Sequence, residues 1–307
     1  MERKIRVEHL QSVEILVVNA LTIYTALIDL FRNNNLPYNN CVSSLFDSCN
    51  TMRGVKNGVE TLLRKEIPHL NDVDGDTCHH IHNACKKFTA PFDKWLENLF
   101  SDLYNDAKWA SDMRSFLSEI CEFMSIPFSS PEMYTPQRWI SVYECVVAMI
   151  TKLPAVMVLY YGGMSQSDRD IYADVFKPIV EKLNEKQLER IEKIHSLVRK
   201  KGRTKDGQER LKRITAKIFT NNHKTVMQMN FYLANLWILQ EYVLVFQGKQ
   251  FLVHKLHPNQ IEVILKFLAH LVKPLVLNEA DTPKKIARLA NVIALPVKSS
   301  IPGTKGT

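Results

Sequence analysis

Apolar positions in residues 4–15 alternate in part, with Ile5 and Val7 two apart and then Val13 and Ile15 two apart. This is the spacing of a half-buried strand. From residue 20 to residue 31 the apolar positions fall three and four apart, which predicts a helix, and Asn33, Asn34, Asn35 and Pro37 stop it. Residues 41–46 form a short apolar and serine-rich run that ends at Asp47, a pattern that predicts a strand closed by an acidic residue. Gly54 and Gly58 flank the start of a further helix, carried by Val59, Leu62, Leu63 and Ile67 and ended by Pro68. The first 70 residues therefore read strand, helix, strand, helix.

Beyond about residue 80 the alternation disappears, and residues 84–124, 138–161, 168–200, 208–219 and 226–247 all carry helical periodicity. Residues 127–136 make a Ser/Pro-rich connector, 162–167 a turn and 201–207 a polar, basic loop. In the last long window Phe231, Tyr232, Leu236, Trp237, Tyr242 and Phe246 are spaced as core positions of a helix. Thr282 before Pro283 has the form of an N-cap with proline at the first helical position, and Ile286, Leu289 and Ile293 carry a last short helix. After Leu295 the composition turns to Pro, Ser, Gly and Thr without an apolar period, a tail expected to be disordered or loosely held. The expected fold is α+β, mostly α, with an α/β part over residues 1–88, a helical domain over 89–295 and the tail over 296–307. No internal repeat is visible.

Composition narrows the class. A chain of 307 residues with 46% hydrophobic side chains buries a core, so it is globular. Forty Lys and Arg against 32 Asp and Glu give a formal charge of +8, which suits a polyanionic partner without demanding one. The six cysteines, all in the first half and irregularly spaced, do not make a disulfide framework and point to a reducing compartment, nuclear or cytoplasmic. Glu8, His9, Gln11 and Glu14 interrupt the stretch where a secretory signal would be unbroken and apolar, so secretion is not expected. The apolar run 148–161 is broken by Lys152 and Pro154 and reads as a buried, kinked helix, not a membrane span.

Four blocks occur in order along the chain. Asp47 is followed by Met52, Gly54 and the run Lys56, Asn57, Gly58, Val59, then by Ile67, Pro68, His69 and Leu70. A Cys/His-rich block spans residues 78–87, with Cys78, His79, His80, His82 and Cys85. Arg138 and Trp139 precede Ile140, Ser141 and Glu144, and a last block over 231–277 contains Gln247, Leu252, Val253, His254, Lys255, Leu256, Lys273 and Pro274. Together, over roughly residues 10–280, they resemble the hAT superfamily of DNA transposases. The resemblance implies a partial ribonuclease-H-like core interrupted by a large helical insertion domain. It also implies strand transfer by three carboxylates that hold two divalent metals. Asp47 stands at the position of the second carboxylate. No block matching the first or the third is found, for Glu2, Glu8 and Glu14 lie in no such context and Ser299 and Ser300 are not followed by the expected glutamate. Two metals about 3.5–4 Å apart cannot be held by one carboxylate. The resemblance therefore implies a truncated, domesticated protein without cutting activity, with Mg or Mn needed only if catalysis survives and no other cofactor expected.

Each candidate residue has two readings. Asp47 is a vestigial metal ligand or a helix-capping residue. In the family's Cys/His motif, aligning His79 with the family histidine puts Asp76 where a cysteine is usual, with Cys78 and His82 alongside. The cluster is either a zinc site of unusual spacing or a packed, hydrogen-bonded motif. Arg138 and Trp139 either stack on an unpaired base or belong to the core. Arg199, Lys200, Lys201, Arg203, Lys205, Arg210, Lys212, Arg213 and Lys217, offset by Asp206 and Glu209, are phosphate contacts or a solvated face. The leading expectation is a transposase-derived nuclear protein that binds DNA, a second copy of itself or another protein through a basic helical domain, away from membranes. The alternatives are a fragment of an active metal-dependent transposase and a helical interaction scaffold that binds no nucleic acid.

Overall fold

The computed structural model describes residues 9–47, 49–71, 76–109, 111–136, 140–247 and 255–270. The chain divides into two compact units, one made of Met1–His79 and Glu241–Thr307, the other of His80–Gln240. It leaves the first unit at residue 80 and returns to it at residue 241.

The first unit is built on helices α1 (Ala20–Asn33) and α3 (Val59–Glu66), with the single turn α2 (Asn50–Arg53) between them. A capping box starts α1: Asn19 Oδ1 accepts from the Thr22 amide at 2.9 Å, and Thr22 Oγ1 accepts from the Asn19 amide at 3.1 Å. The apolar stripe of α1 then places Ile28 against Val59 and Leu63 of α3, with Ile23, Tyr24, Leu27, Phe46 and Met52 around them. Each such buried aliphatic side chain stabilises the unit by about 1.5–3 kcal/mol relative to exposure. The first turn of α4 (Thr77–Thr89), the last turn of α13 (Asn222–Phe246) and α14 (Leu256–Leu268) also belong here. Tyr242 Oη lies 2.6 Å from Thr77 Oγ1, and Lys266 pairs with Glu241 at 3.0 Å.

The strands expected in this unit are not formed among the described residues. Residues 9–15 adopt no regular element, and residues 1–8 lie outside the described part. Residues 41–47 form no regular element and make a single parallel bridge, Ser43 with Asn71. Two backbone bonds accompany it, from the Asn71 amide to Val42 O at 2.9 Å and from the Asp76 amide to Phe46 O at 3.2 Å. A strand needs a partner edge in register over several residues. The bridge supplies one pair, and Val42 and Leu45 remain 62% and 64% exposed.

The regular elements of the second unit among the described residues are all helical: the rest of α4, then α5 (Trp95–Trp109), α6 (Ser111–Phe123), α7 (Ser141–Ile150), α8 (Leu153–Tyr161), α9 (Gln166–Ile171), α10 (Ala173–Val180), α11 (Glu185–Lys200) and α12 (Lys205–Thr215), a π turn (Ala216–Thr220) and the body of α13. The kink expected near Lys152 and Pro154 is a 73° bend between α7 and α8, with Pro154 in the first turn of α8. Helix α8 is apolar on all sides and buried on all sides, the composition of a central helix. No single described helix is long and apolar enough to cross a membrane. Three helices replace the expected one over 168–200, since Pro178 lies near the end of α10 and an Asn184 capping box restarts the chain. The basic loop is shorter than expected because Thr204 caps α12, its hydroxyl accepting from the Gly207 amide at 3.2 Å.

On α13 the expected core face is only partly realised: Tyr232, Leu236 and Tyr242 are buried, whereas Phe231 and Trp237 are 40% and 41% exposed. Phe231 stacks on Phe88 at 5.3 Å. The helix expected over 282–295 lies outside the described residues.

Where α8 meets α11 the backbone approaches a fully buried imidazole. His195 Nε2–H donates to Val158 O at 2.7 Å, and burial holds the ring below its ordinary pKa, in the neutral form. A Cβ on Gly162 would stand 2.3 Å from His195 Cδ2 and 2.9 Å from His195 Cα. Gly162→Ala is therefore expected to destabilise the fold by about 1–3 kcal/mol, read as a lower urea midpoint with an unchanged slope.

Candidate functional site

In the first unit three residues of the Cys/His block sit on or just before α4, and the helix sends them in different directions. Asp76 Oδ1 accepts from the Cys78 amide at 2.9 Å, so this acid caps the helix. Cys78 is buried and its thiol lies 4.0 Å from Val243 O. Burial and the nearby Asp76 charge push that thiol up to about 11, so it remains protonated near neutral pH. His79 turns toward the segment ending at Asp47, with Nε2 3.5 Å from Asp47 Oδ1. Asp47 is half exposed and does not cap α2, whose N-cap is Cys49. Among the described residues no three His, Cys, Asp or Glu side chains gather at a spacing that could hold a metal ion.

The basic stretch of the second unit divides in two. Arg203 donates to Asp106 at 2.9 Å, with only 11% and 3% of the two side chains exposed. Arg210 lies 3.9 Å from the same carboxylate, and the buried Tyr160 hydroxyl donates to it at 2.9 Å. One turn earlier on α5, Asp102 takes a two-pronged bond from Arg213 at 2.9 and 2.6 Å. Lys201 pairs with Asp112 on α6. Lys217, buried in the π turn, donates to Trp95 O at 2.9 Å, and its ammonium lies 5.3 Å from the Trp95 ring centre. Lys212 pairs at the surface with Glu209 at 2.9 Å. Arg199, Lys200 and Lys205 are exposed and reach no acid among the described residues.

These pairings have unequal weight. The Asp106–Arg203 pair is shielded from water, and removing one partner of such a pair costs about 3–5 kcal/mol because the other charge stays buried. The Asp102–Arg213 pair is solvent-screened on the arginine side and contributes less than about 1 kcal/mol.

The remaining block residues, His82 and Cys85, line a small cavity of about 20 Å³ with Thr89, Glu97, Tyr134 and Ser141. That is room for one water molecule. Pro136 and Ile140 also face it, and these bracket Arg138 and Trp139, which lie outside the described residues. Glu97 is 3% exposed, and its Oε2 meets no hydrogen-bond partner among the described residues. Burial raises its pKa; Lys94 and Lys217 act the other way. Burial and the Glu97 charge push Cys85 up to about 12, and Tyr134 also to about 12. Both are neutral side chains, unsuited to act as nucleophiles. Sequence reasoning missed Glu97, although an acid beside Leu96 and within the stripe Leu96, Leu99, Phe100, Leu103 was a visible signal of a buried charge.

A comparison of the chain with family models, curated proteins and solved structures finds no match.

The raised pKa of Glu97 has a sign that can be measured. Its contribution to stability is present below the unfolded value of about 4.3 and is lost as pH rises through the folded value. Glu97→Gln removes that loss, so thermal melts are expected to give equal melting temperatures for the two proteins at pH 4 and a higher one for the variant at pH 7.

Proposed function

We propose that the chain is a transposase-derived helical binding protein without strand-cutting chemistry, and that its nucleic-acid contact is confined to the exposed corner where α11 gives way to α12. The observation that carries this reading is the division of the basic stretch. Arg203, Arg213 and Lys201 turn toward acids of α5 and α6, while Arg199, Lys200 and Lys205 face solvent. Cations engaged in intramolecular pairs are poorly placed to release counterions from a phosphate backbone, whereas unpaired surface cations are free to do so.

Two further observations support the transposase-derived part. The chain leaves the first unit and returns to it, the connectivity of a core interrupted by an inserted domain. The residues flanking Arg138 and Trp139 share one cavity wall with His82 and Cys85, so two sequence blocks far apart in the chain converge. The pairing of Asp47 with His79, a group that carries positive charge when protonated, favours a structural role for this carboxylate. A ribonuclease-H-like origin of the first unit remains part of the proposal; its support is the single parallel bridge made by the segment ending at Asp47.

The second reading, a scaffold that binds no nucleic acid, is favoured by the same pairings taken to their limit. Salt dependence separates the two. Three free cations predict a log–log slope of about −3 for duplex DNA, whereas all nine of the stretch would predict about −8. Fluorescence anisotropy with a labelled duplex between about 20 and 200 mM salt is expected to give the shallower slope. Binding is expected to be lost when Arg199, Lys200 and Lys205 are replaced together by Gln. No binding at the lowest salt would favour the scaffold.

A further inference from the structure

The described part of the first unit leaves an apolar groove uncovered along the outer side of α1. It has a volume of about 660 Å³ and is lined by Val13, Leu16, Val17, Leu21 and Leu30, with Glu14 and Asp29 among them. Leu16, Val17 and Leu21 are 92%, 65% and 62% exposed, an apolar concentration that folded chains normally cover. Glu14 is exposed, and Asp29 lies 3.9 Å from an equally exposed Arg32.

We propose that this groove seats residues 282–295 of the same chain. The segment carries Ile286, Leu289 and Ile293 at helical spacing, an apolar stripe with Lys284, Lys285 and Arg288 beside it. Those cations match the carboxylates of Glu14 and Asp29. Reach is sufficient: the 11 residues 271–281 span up to roughly 35–40 Å when extended, and a unit of about 150 residues has a radius of gyration of only about 15 Å. A second copy fits less well. Two-fold pairing of the groove with itself would bring together two surfaces whose charged lining residues, Glu14 and Asp29, are acids.

The test uses the full chain at micromolar concentration and a zero-length carbodiimide cross-linker, followed by peptide mapping of the monomer band. Seating predicts amide links from Lys284 or Lys285 to Glu14 or Asp29 within one chain. Leu289→Asp should lower the yield of those links about tenfold or more, while Leu289→Met should preserve it. The wild-type measurement does not depend on any variant folding. Absence of these links in the wild-type monomer, their confinement to a dimer band, or a yield indifferent to Leu289→Asp would each overturn the proposal.

Discussion

Two aspartates one helical turn apart on α5 organise the charged part of the second unit. Asp106 receives the Tyr160 hydroxyl and the Arg203 guanidinium and lies within ion-pair reach of Arg210, and Asp102 receives Arg213. The carboxylate of Asp106 is nearly inaccessible, so its hydrogen-bond partners are those donors and not water. In net stability such a buried group roughly offsets its own desolvation, and what it adds is orientation. Arg203, just before α12, and Arg213, within it, engage the two acids together and tie α12 to α5. With α12 so placed, Ile214 and Ile218 are fully buried and Lys217 reaches Trp95 O.

The same constraint decides how much of the positive charge is available for work. A net +8 and a dense run of Lys and Arg suggest a polyanion-binding surface when read along the chain. In three dimensions the run is largely a structural seam, and its solvent-facing remainder lies at the corner of α11 and α12. The cavity around Glu97 behaves similarly. It gathers histidine, cysteine, tyrosine and glutamate, residue types often found in catalysis, yet Cys85 and Tyr134 are held protonated and the space admits about one water molecule. It packs His82 and Cys85 of the Cys/His block against Tyr134, Pro136, Ile140 and Ser141.

Much of the helical part was legible because the apolar period there is long and the punctuation is strong. Pro154 marks the expected bend, whereas the caps at Asn19, Asn184 and Thr204, which fix where α1, α11 and α12 begin, were not read from the sequence. The strands were not legible in the same way. The short apolar and serine-rich run over 41–46 describes a segment fit to be a strand, but whether it becomes one depends on partners that local pattern does not reveal, and here a single bridge to Asn71 is what forms. Phe231 and Trp237 share the period of Tyr232 and Leu236 and yet stay partly exposed, because periodicity names a face without saying how widely it is covered. Helix α14 was missed, since the apolar period over residues 256–268 is short and begins soon after the polar residues 247–250. The seam was missed although its signal was present: Asp102 and Asp106 are four apart, and Arg203, Arg210 and Arg213 are spaced seven and three, so the two stripes are complementary when laid side by side.

The most direct measurement of this account is a double-mutant cycle on the shielded pair, comparing wild type, Asp106→Asn, Arg203→Gln and the double variant by urea unfolding. If the seam organises the unit, the two single losses overlap and the coupling energy exceeds about 1 kcal/mol. Additivity within about 0.3–0.5 kcal/mol would mean that Asp106 and Arg203 act independently, and the account of the basic stretch as a structural seam would be contradicted.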